Sequence, residues 1–420
     1  MLGWLQNRLV AILRWSERYT GTDMVYLASG GFWLVLEQIS GVLLSFSVAI
    51  VFGHLASKDL YGNYKYVLSL ATVLGALSLS GLGEAIGQAT ARGKDGALMQ
   101  GFRLNLFWSG PFFLASMGVA TYYFMAGNLF VASSLIIVAF FQPLAASSSF
   151  FSTFLFGQKD FARGALYMIA ENIITYGAVL VALLIGERAI ALVASYFVAN
   201  TAASLFFTWK AQQRARNNEK DKGLFAFGAH LSVMNVIAVI ADKFDSLIVF
   251  TLLGPTQLAT YTFALAVPEQ LKGVIKNLYG LALPKFAERP LIEIQKTIWP
   301  KLGLFTVLIG VLTVMYVLLA PFLFKLLFPI YLDAVPYSQW YAFSILFAGF
   351  PAVISAALTA HKKTRALYIT TNAAPVVLII LLIVLVPSLG IAGAILAQIT
   401  YRAFNAAVHI WQFLRATDEN

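Results

Sequence analysis

The 420-residue chain has no cysteine and only four histidines, His54, His230, His361 and His409. The first absence excludes disulfides, thiol catalysis and zinc–thiolate sites, and the four histidines show no metal-ligand spacing. Charge is scarce too: Asp, Glu, Lys and Arg make up 11% of the residues, where soluble domains carry about 25%. No GxxxxGK phosphate loop occurs, so ATP hydrolysis would need another chain. Neither a metal nor a cofactor is expected.

Apolar residues fill the space that charge leaves. They form 60% of the chain, with a mean hydropathy of +0.78. A soluble globule of this size could not enclose that much apolar surface, so lipid must be the solvent for most of it. Apolar runs are predicted near 31–52, 61–83, 104–124, 129–151, 164–185, 188–209, 229–252, 257–281, 302–323, 337–359, 366–386 and 390–413, which is twelve spans. An even number puts both termini on one side.

The net charge of +10 is better explained by membrane topology than by nucleic acid, which is not expected as a partner. Twenty-one of the 29 basic residues fall in alternate gaps, and the other gaps hold only Lys58, Arg188 and Lys325. Such a bias places the basic gaps and both termini in the cytoplasm. Residues 1–24 then read as a cytoplasmic interfacial amphipathic helix, 25–209 as an N-terminal six-helix lobe, 210–224 as a basic linker, 225–414 as a C-terminal six-helix lobe and 415–420 as a tail.

The two halves resemble each other at an offset near 200 residues. Ile50-Val51-Phe52 reappears as Ile248-Val249-Phe250, Tyr64-Lys65-Tyr66 aligns with Tyr261-Thr262-Phe263, and Gln158-Lys159 with Arg163 to Tyr167 matches His361-Lys362 with Arg365 to Tyr368. Six spans per copy give both copies the same orientation, the parallel-repeat design of alternating-access transporters, with a central cavity between the lobes.

Five cations lie inside spans, where each costs at least ~2.5–3.5 kcal/mol on insertion scales. Thr262, Glu269, Lys272 and Lys276 share one face of the eighth span, and Lys65 matches Thr262 in the first copy. Gln398, Arg402, Asn405 and His409 form one stripe on the twelfth, and Asn235, Asp242 and Asp245, with Lys243 nearby, lie on the seventh. One reading makes Lys65, Lys272, Lys276 and Arg402, with Gln398 and Asn405, a cationic cavity for a phosphate-bearing substrate. Under the other, Glu269 with Lys272 and Asp242 or Asp245 with Lys243 are structural ion pairs. Glu37, Asp242, Asp245 and Glu269 are candidates for ion coupling or gating, whereas Glu171 reads as a helix-packing residue. Ser147 to Ser149 and the Gly83/Gly87 spacing read as close-packing devices. Pro111, Pro143, Pro268, Pro351 and Pro375 are candidate helix bends.

Several short segments carry a family resemblance. They are Leu55 to Tyr64 (LASKDLYGNY), Ser80 to Ile86 (SGLGEAI) and Leu155 to Phe161 (LFGQKDF), and in the second copy Ala241 to Asp245 followed by Leu253-Gly254 and Thr260-Tyr261. Through these, and over Gly30 to Leu414, the chain resembles the multidrug/oligosaccharidyl-lipid/polysaccharide exporter superfamily, specifically its Wzx-type polysaccharide flippases. The resemblance implies an all-α, MATE-like fold in a bacterial or archaeal cytoplasmic membrane. It also implies transfer of a polyprenyl-pyrophosphate-linked oligosaccharide to the outer leaflet for surface polysaccharide such as lipopolysaccharide. Membrane lipids, a polysaccharide polymerase and glycosyltransferases would be its partners, and no catalytic residue is implied. An ion-coupled drug or metabolite antiporter of the same superfamily is the competing reading; it would favour an acidic cavity. The peptidoglycan-precursor branch usually carries two further spans, and a membrane glycosyltransferase would need larger external loops.

Overall fold

The computed structural model describes residues 24–186, 188–280, 290–361 and 363–416. The predicted interfacial helix, apart from its last residue, lies outside them. Every secondary-structure element among the described residues is a helix, with no strand among them. We number the α-helices α1 Met24–Leu55, α2 Lys58–Gly75, α3 Leu82–Ala91, α4 Ala97–Trp108, α5 Gly110–Met125, α6 Leu129–Ser148, α7 Phe151–Gly157, α8 Phe161–Ile185 and α9 Ala189–Gln212. The second half continues with α10 Leu224–Leu253, α11 Pro255–Gly280, α12 Leu291–Leu327, α13 Val335–Ala342, α14 Gly349–Ala360 and α15 Thr364–Arg415; two 3-10 turns, Pro329–Ala334 and Phe343–Phe347, flank α13.

Eight segments are long and apolar enough to cross a membrane by themselves. The expected twelve spans follow from them on three counts. First, α15 is two spans joined at Gly390, whose φ of 60° breaks the helix within its 52 residues. Second, α2 with α3, and α4 with α5, are spans broken midway: α3, α4 and α5 are too short as separate helices, and α2 carries Lys58, Asp59 and Lys65. Third, α11 is long enough but carries Glu269, Lys272 and Lys276.

The second span was expected to end at Gly83, and the structure instead continues it through α3 to Ala91. Its break has a packing cause. Ser80 and Gly81 leave the helix, and the Gly81 N–H donates to the Ser232 hydroxyl at 2.9 Å. A Cβ at Gly81 would lie 2.7 Å from the Gly228 carbonyl oxygen. Non-helical backbone is tolerated at membrane depth only where protein satisfies it. Pro111 lies in the first turn of α5, at the break between α4 and α5, while Pro143, Pro268 and Pro375 lie inside helices.

The chain folds into two compact units. The first comprises the described part of Met1–Val48 with Leu77–Gly186 and Ile190–Met234; the second comprises chiefly Ala49–Ala76 and Asn235–Asn420. Packing therefore departs from sequence order: α2, from the first copy of the repeat, belongs with the second unit.

In the first unit, Leu82, Ile86, Phe151, Phe154, Leu155 and Phe207 form a core. The predicted close-packing devices lie at its margin. Asn105 donates to Ser147 Oγ at 3.0 Å, Thr208 donates to the Ser148 carbonyl, and a Cβ on Gly157 would approach the Gly87 carbonyl to 2.7 Å. Residues 213–223, after α9, are tied to the loop before α4. The buried Asp95 carboxylate accepts from the Arg216 N–H at 2.7 Å and from Gln158 at 2.9 Å, and Gln100 exchanges two bonds with the Asp221 backbone.

The second unit repeats this device at the matching place. Gln295, near the start of α12, donates to the carbonyls of Phe413 and Ala416 as the chain leaves α15. At its other end, aromatic rings fill the crossing of α2 and α11: Tyr61 meets Phe263 at 4.8 Å, and Phe263 stacks on Tyr331 at 3.7 Å. Lys58 pairs with Asp333 at 2.6 Å, and Thr260 donates to the other oxygen of Asp333 at 3.1 Å. Outward faces such as Leu304, Val307, Val311 and Leu318 of α12 are exposed, as a lipid-facing helix requires.

Candidate functional site

The polar stripe on the second half of α15 organises the interior of the second unit. Three of its four residues, Gln398, Arg402 and His409, meet four neighbouring helices in succession. Gln398 donates to Asp245 of α10 at 2.9 Å. Arg402 donates to Glu269 of α11 and to the hydroxyl of Tyr341 on α13. His409 makes a 3.1 Å hydrogen bond with Ser355 of α14 and a 2.8 Å one with the Asn405 carbonyl.

Among the intramembrane cations whose side chains are described, Arg402 is the most enclosed, with a side chain 10% exposed. One guanidinium nitrogen, Nη2, reaches Glu269 Oε1 and the Tyr341 oxygen, and the guanidinium lies 4.9 Å over the Tyr341 ring. Tyr341 in turn donates its hydroxyl proton to Glu269 Oε1. The other carboxylate oxygen, Oε2, is bridged by Lys272, three residues along α11. Three donors therefore converge on one carboxylate. The other terminal nitrogen, Nη1, is buried and has no hydrogen-bond partner. Arginine's fork matches oxyanions through two nitrogens at once, and here only one of the two is engaged.

A second polar centre surrounds Asp245. Its Oδ2 accepts from Tyr261 at 2.6 Å and from Gln398 at 2.9 Å, while Oδ1 accepts from the Ser246 N–H at 2.6 Å and the Ser246 hydroxyl at 3.2 Å. Asp245 is 5% exposed. The bonds bring α10, α11 and α15 together on one carboxylate, as a buried charge requires.

The remaining candidates are more dispersed. Lys65 of α2 lies 5.6 Å over the Tyr61 ring, and Asp242 pairs at 2.9 Å with its neighbour Lys243 in an exposed setting. Glu37 is half-buried on α1, in the first unit. Glu171, also in the first unit, accepts from Ser204 and from Asn200 at 3.3 Å and so joins α8 to α9. The side chain of Lys276 lies outside the described residues.

Two participants were not marked as site residues by the sequence pattern. Tyr341 is one of 18 tyrosines and lies in a run with no charge, and Tyr261 stands out only in the repeat and in the Thr260-Tyr261 segment of the family resemblance. Their hydroxyls complete the two carboxylate sites, and a tyrosine whose polar tip is buried needs such a partner.

Twelve spans in two sequence-related halves, with cations and carboxylates paired inside the bundle, define a polytopic helical membrane protein. Residues 27–288 match the model of the family described as polysaccharide biosynthesis protein. That is more than half of the chain, which belongs to this family. No curated protein matches the sequence. Among solved structures, a multidrug resistance MATE family transporter of the MOP superfamily in its inward-facing conformation is similar, with a TM-score of 0.66 and 13% identity over 89% of this chain and 94% of that one. The outward-facing conformation of a multidrug resistance MATE family transporter gives 0.62 and 13%, over 92% and 95%. Lipid II flippase MurJ in an inward closed conformation gives 0.59 and 12%, over 90% and 89%. The fold is that of the MOP-superfamily transporters.

Proposed function

We propose that the chain is a flippase that moves a polyprenyl-pyrophosphate-linked oligosaccharide from the cytoplasmic to the outer leaflet for surface polysaccharide assembly. The observation that carries this reading is Arg402: an enclosed guanidinium inside a span, with one nitrogen unpaired, in a member of a polysaccharide biosynthesis family. A pyrophosphate head cannot cross hydrocarbon unaided, and intramembrane cations are maintained against a substantial insertion cost. Arg402 would engage the pyrophosphate, and Lys272, Lys65 and Lys276 would extend the basic path around it. Inward-facing and outward-facing forms exist among the fold neighbours, which supports alternating access for this chain.

On this reading the chain breaks no covalent bond. It lies in the cytoplasmic membrane of a bacterium or archaeon with both termini inside, as the distribution of basic residues supports. Glycosyltransferases would supply its substrate and a polymerase would consume the product. Vesicles carrying a fluorescent lipid-linked sugar test the proposal: Arg402→Ala and Lys272→Ala should slow head-group crossing at least tenfold, and unimpaired crossing in both would remove the basis for a cationic path. The carboxylates Asp245 and Glu37 favour a second reading, an ion-coupled antiporter of drugs or metabolites. Uptake of cationic dyes, with no movement of the lipid-linked sugar, would select it.

A further inference from the structure

We infer that Glu269 is a built-in stand-in for the substrate's phosphate: it holds the oxyanion position at Arg402 and Tyr341 until a phosphate or pyrophosphate group displaces it. The inference rests on the cationic-site reading above and adds to it how that site is kept and released.

Three features of the cluster point this way. Glu269 is the single acceptor on which Arg402, Tyr341 and Lys272 converge. Without a counter-anion the enclosed Arg402 charge, with the partly exposed Lys272 beside it, would be uncompensated, so the carboxylate stabilises the site when no substrate is bound. Next, the satisfaction is incomplete. Glu269 engages Arg402 through Nη2 alone, and Nη1 remains buried without an acceptor. A carboxylate has two oxygens in one plane, and both are occupied here. A phosphate presents its oxygens tetrahedrally and can take both tines of the guanidinium fork while also accepting from Tyr341. The incoming group therefore gains a hydrogen bond that the resident one cannot make, and an unsatisfied buried donor is a standing cost to the unliganded state.

Finally, the displaced carboxylate has somewhere to go. Lys272 lies three residues from Glu269 on the same helix and already pairs with it, so Glu269 can release Arg402 and Tyr341 while keeping its own counter-ion. The exchange is reversible. When the head group leaves, Glu269 returns to Arg402, which assists release and opposes rebinding. No covalent bond changes in either direction.

The test uses the full chain in phosphatidylcholine nanodiscs, with inorganic pyrophosphate and farnesyl pyrophosphate as probes. Removing the competing charge by Glu269→Gln should tighten binding of both probes about tenfold or more, and Arg402→Ala should weaken both by at least that factor. Glu269→Asp, which retains the charge but shortens the side chain by one methylene, should also bind more tightly than the native chain; it serves if Glu269→Gln does not fold. Weaker or unchanged binding in the Glu269 variants, together with loss in Arg402→Ala, would overturn the displacement and leave the cationic site standing. Unchanged binding in Arg402→Ala would overturn the site reading and the inference with it. Tightening seen only for inorganic pyrophosphate would still support displacement and would assign the site to a free anion rather than to a lipid head group.

Discussion

A Cβ atom on Gly62 would lie 1.9 Å from the carbonyl oxygen of Pro255. The segment LYGNY is thus a packing device: Ser57 caps α2 by accepting from the Leu60 N–H at 3.2 Å, Tyr61 packs on Phe263, and glycine lets α2 meet the first turn of α11 backbone to backbone. Gly62→Ala should cost about 1–3 kcal/mol or more, as overpacking of a close crossing does. Gly118→Ala is the control, since nothing lies within 4 Å of its added methyl. It should be neutral or stabilising by up to ~1 kcal/mol. Thermal unfolding in detergent measures both, and equal midpoints would refute the packing role.

Arg402 and Glu269 should be energetically coupled. With Arg402 removed, Glu269 retains Lys272; with Glu269 removed, Arg402 keeps only the Tyr341 hydroxyl. Each single change to glutamine should destabilise the chain, and the double change should cost less than their sum. Contacting charged residues couple by about 0.5–3 kcal/mol. Glu269 is 31% exposed, so screening places the expected value in the lower half of that range. A double-mutant cycle read by unfolding measures it, and strict additivity would show that the pair carries no mutual stabilisation.

Asp245 should not tolerate its isostere. Both carboxylate oxygens accept, Oδ2 from Tyr261 and Gln398 and Oδ1 from Ser246. Asp245→Asn would set an NH2 group against donors at one position or the other. The expected loss is about 1–3 kcal/mol, the cost of an unsatisfied buried group, and Tyr261→Phe should lose about 1 kcal/mol. Retention of the native unfolding midpoint by Asp245→Asn would argue against this donor arrangement.

The relation between sequence and structure varies with the range of the interaction. Periodicity, the alternating basic gaps and the repeat express constraints local to one helix or one loop, and they lead to the twelve spans and to the stripe from Gln398 to His409. The break at Ser80 and Gly81 is invisible in the same way that Tyr341 is, because each depends on a partner more than 60 residues distant: Ser232 for Gly81, Arg402 for Tyr341. The stripes on α11 and α15 were legible as faces. That they meet through Glu269 and Arg402 is a tertiary fact, and so is the transfer of α2 to the second unit, where Gly62 and Tyr61 find their contacts.

The linker between the halves supplies a final test. Basic composition alone would describe 213–223 as a solvated tether, yet Asp95 accepts from the Arg216 N–H, Asn217 donates to the Gly93 carbonyl at 2.8 Å, and Lys94 pairs with Asp221 at 3.2 Å. The Gly223 N–H, with Lys94 and Arg92 nearby, holds the Asp221 carboxyl below the usual carboxylate range. A folded value below the unfolded one means that this stabilisation is complete above the unfolded value and is lost as pH falls through the folded one. Because the chain has no cysteine, a single Lys220→Cys nitroxide reports on the linker cleanly. The label should be ordered at neutral pH and loosen only once acidification passes below the usual aspartate range. In Asp221→Asn the Lys94 bridge is absent at every pH, so that acid-dependent step should disappear. Asp95→Ala should loosen the label already at neutral pH, since it removes the acceptor of the Arg216 N–H and of Gln158. A label equally mobile in all three chains would show the linker to be free.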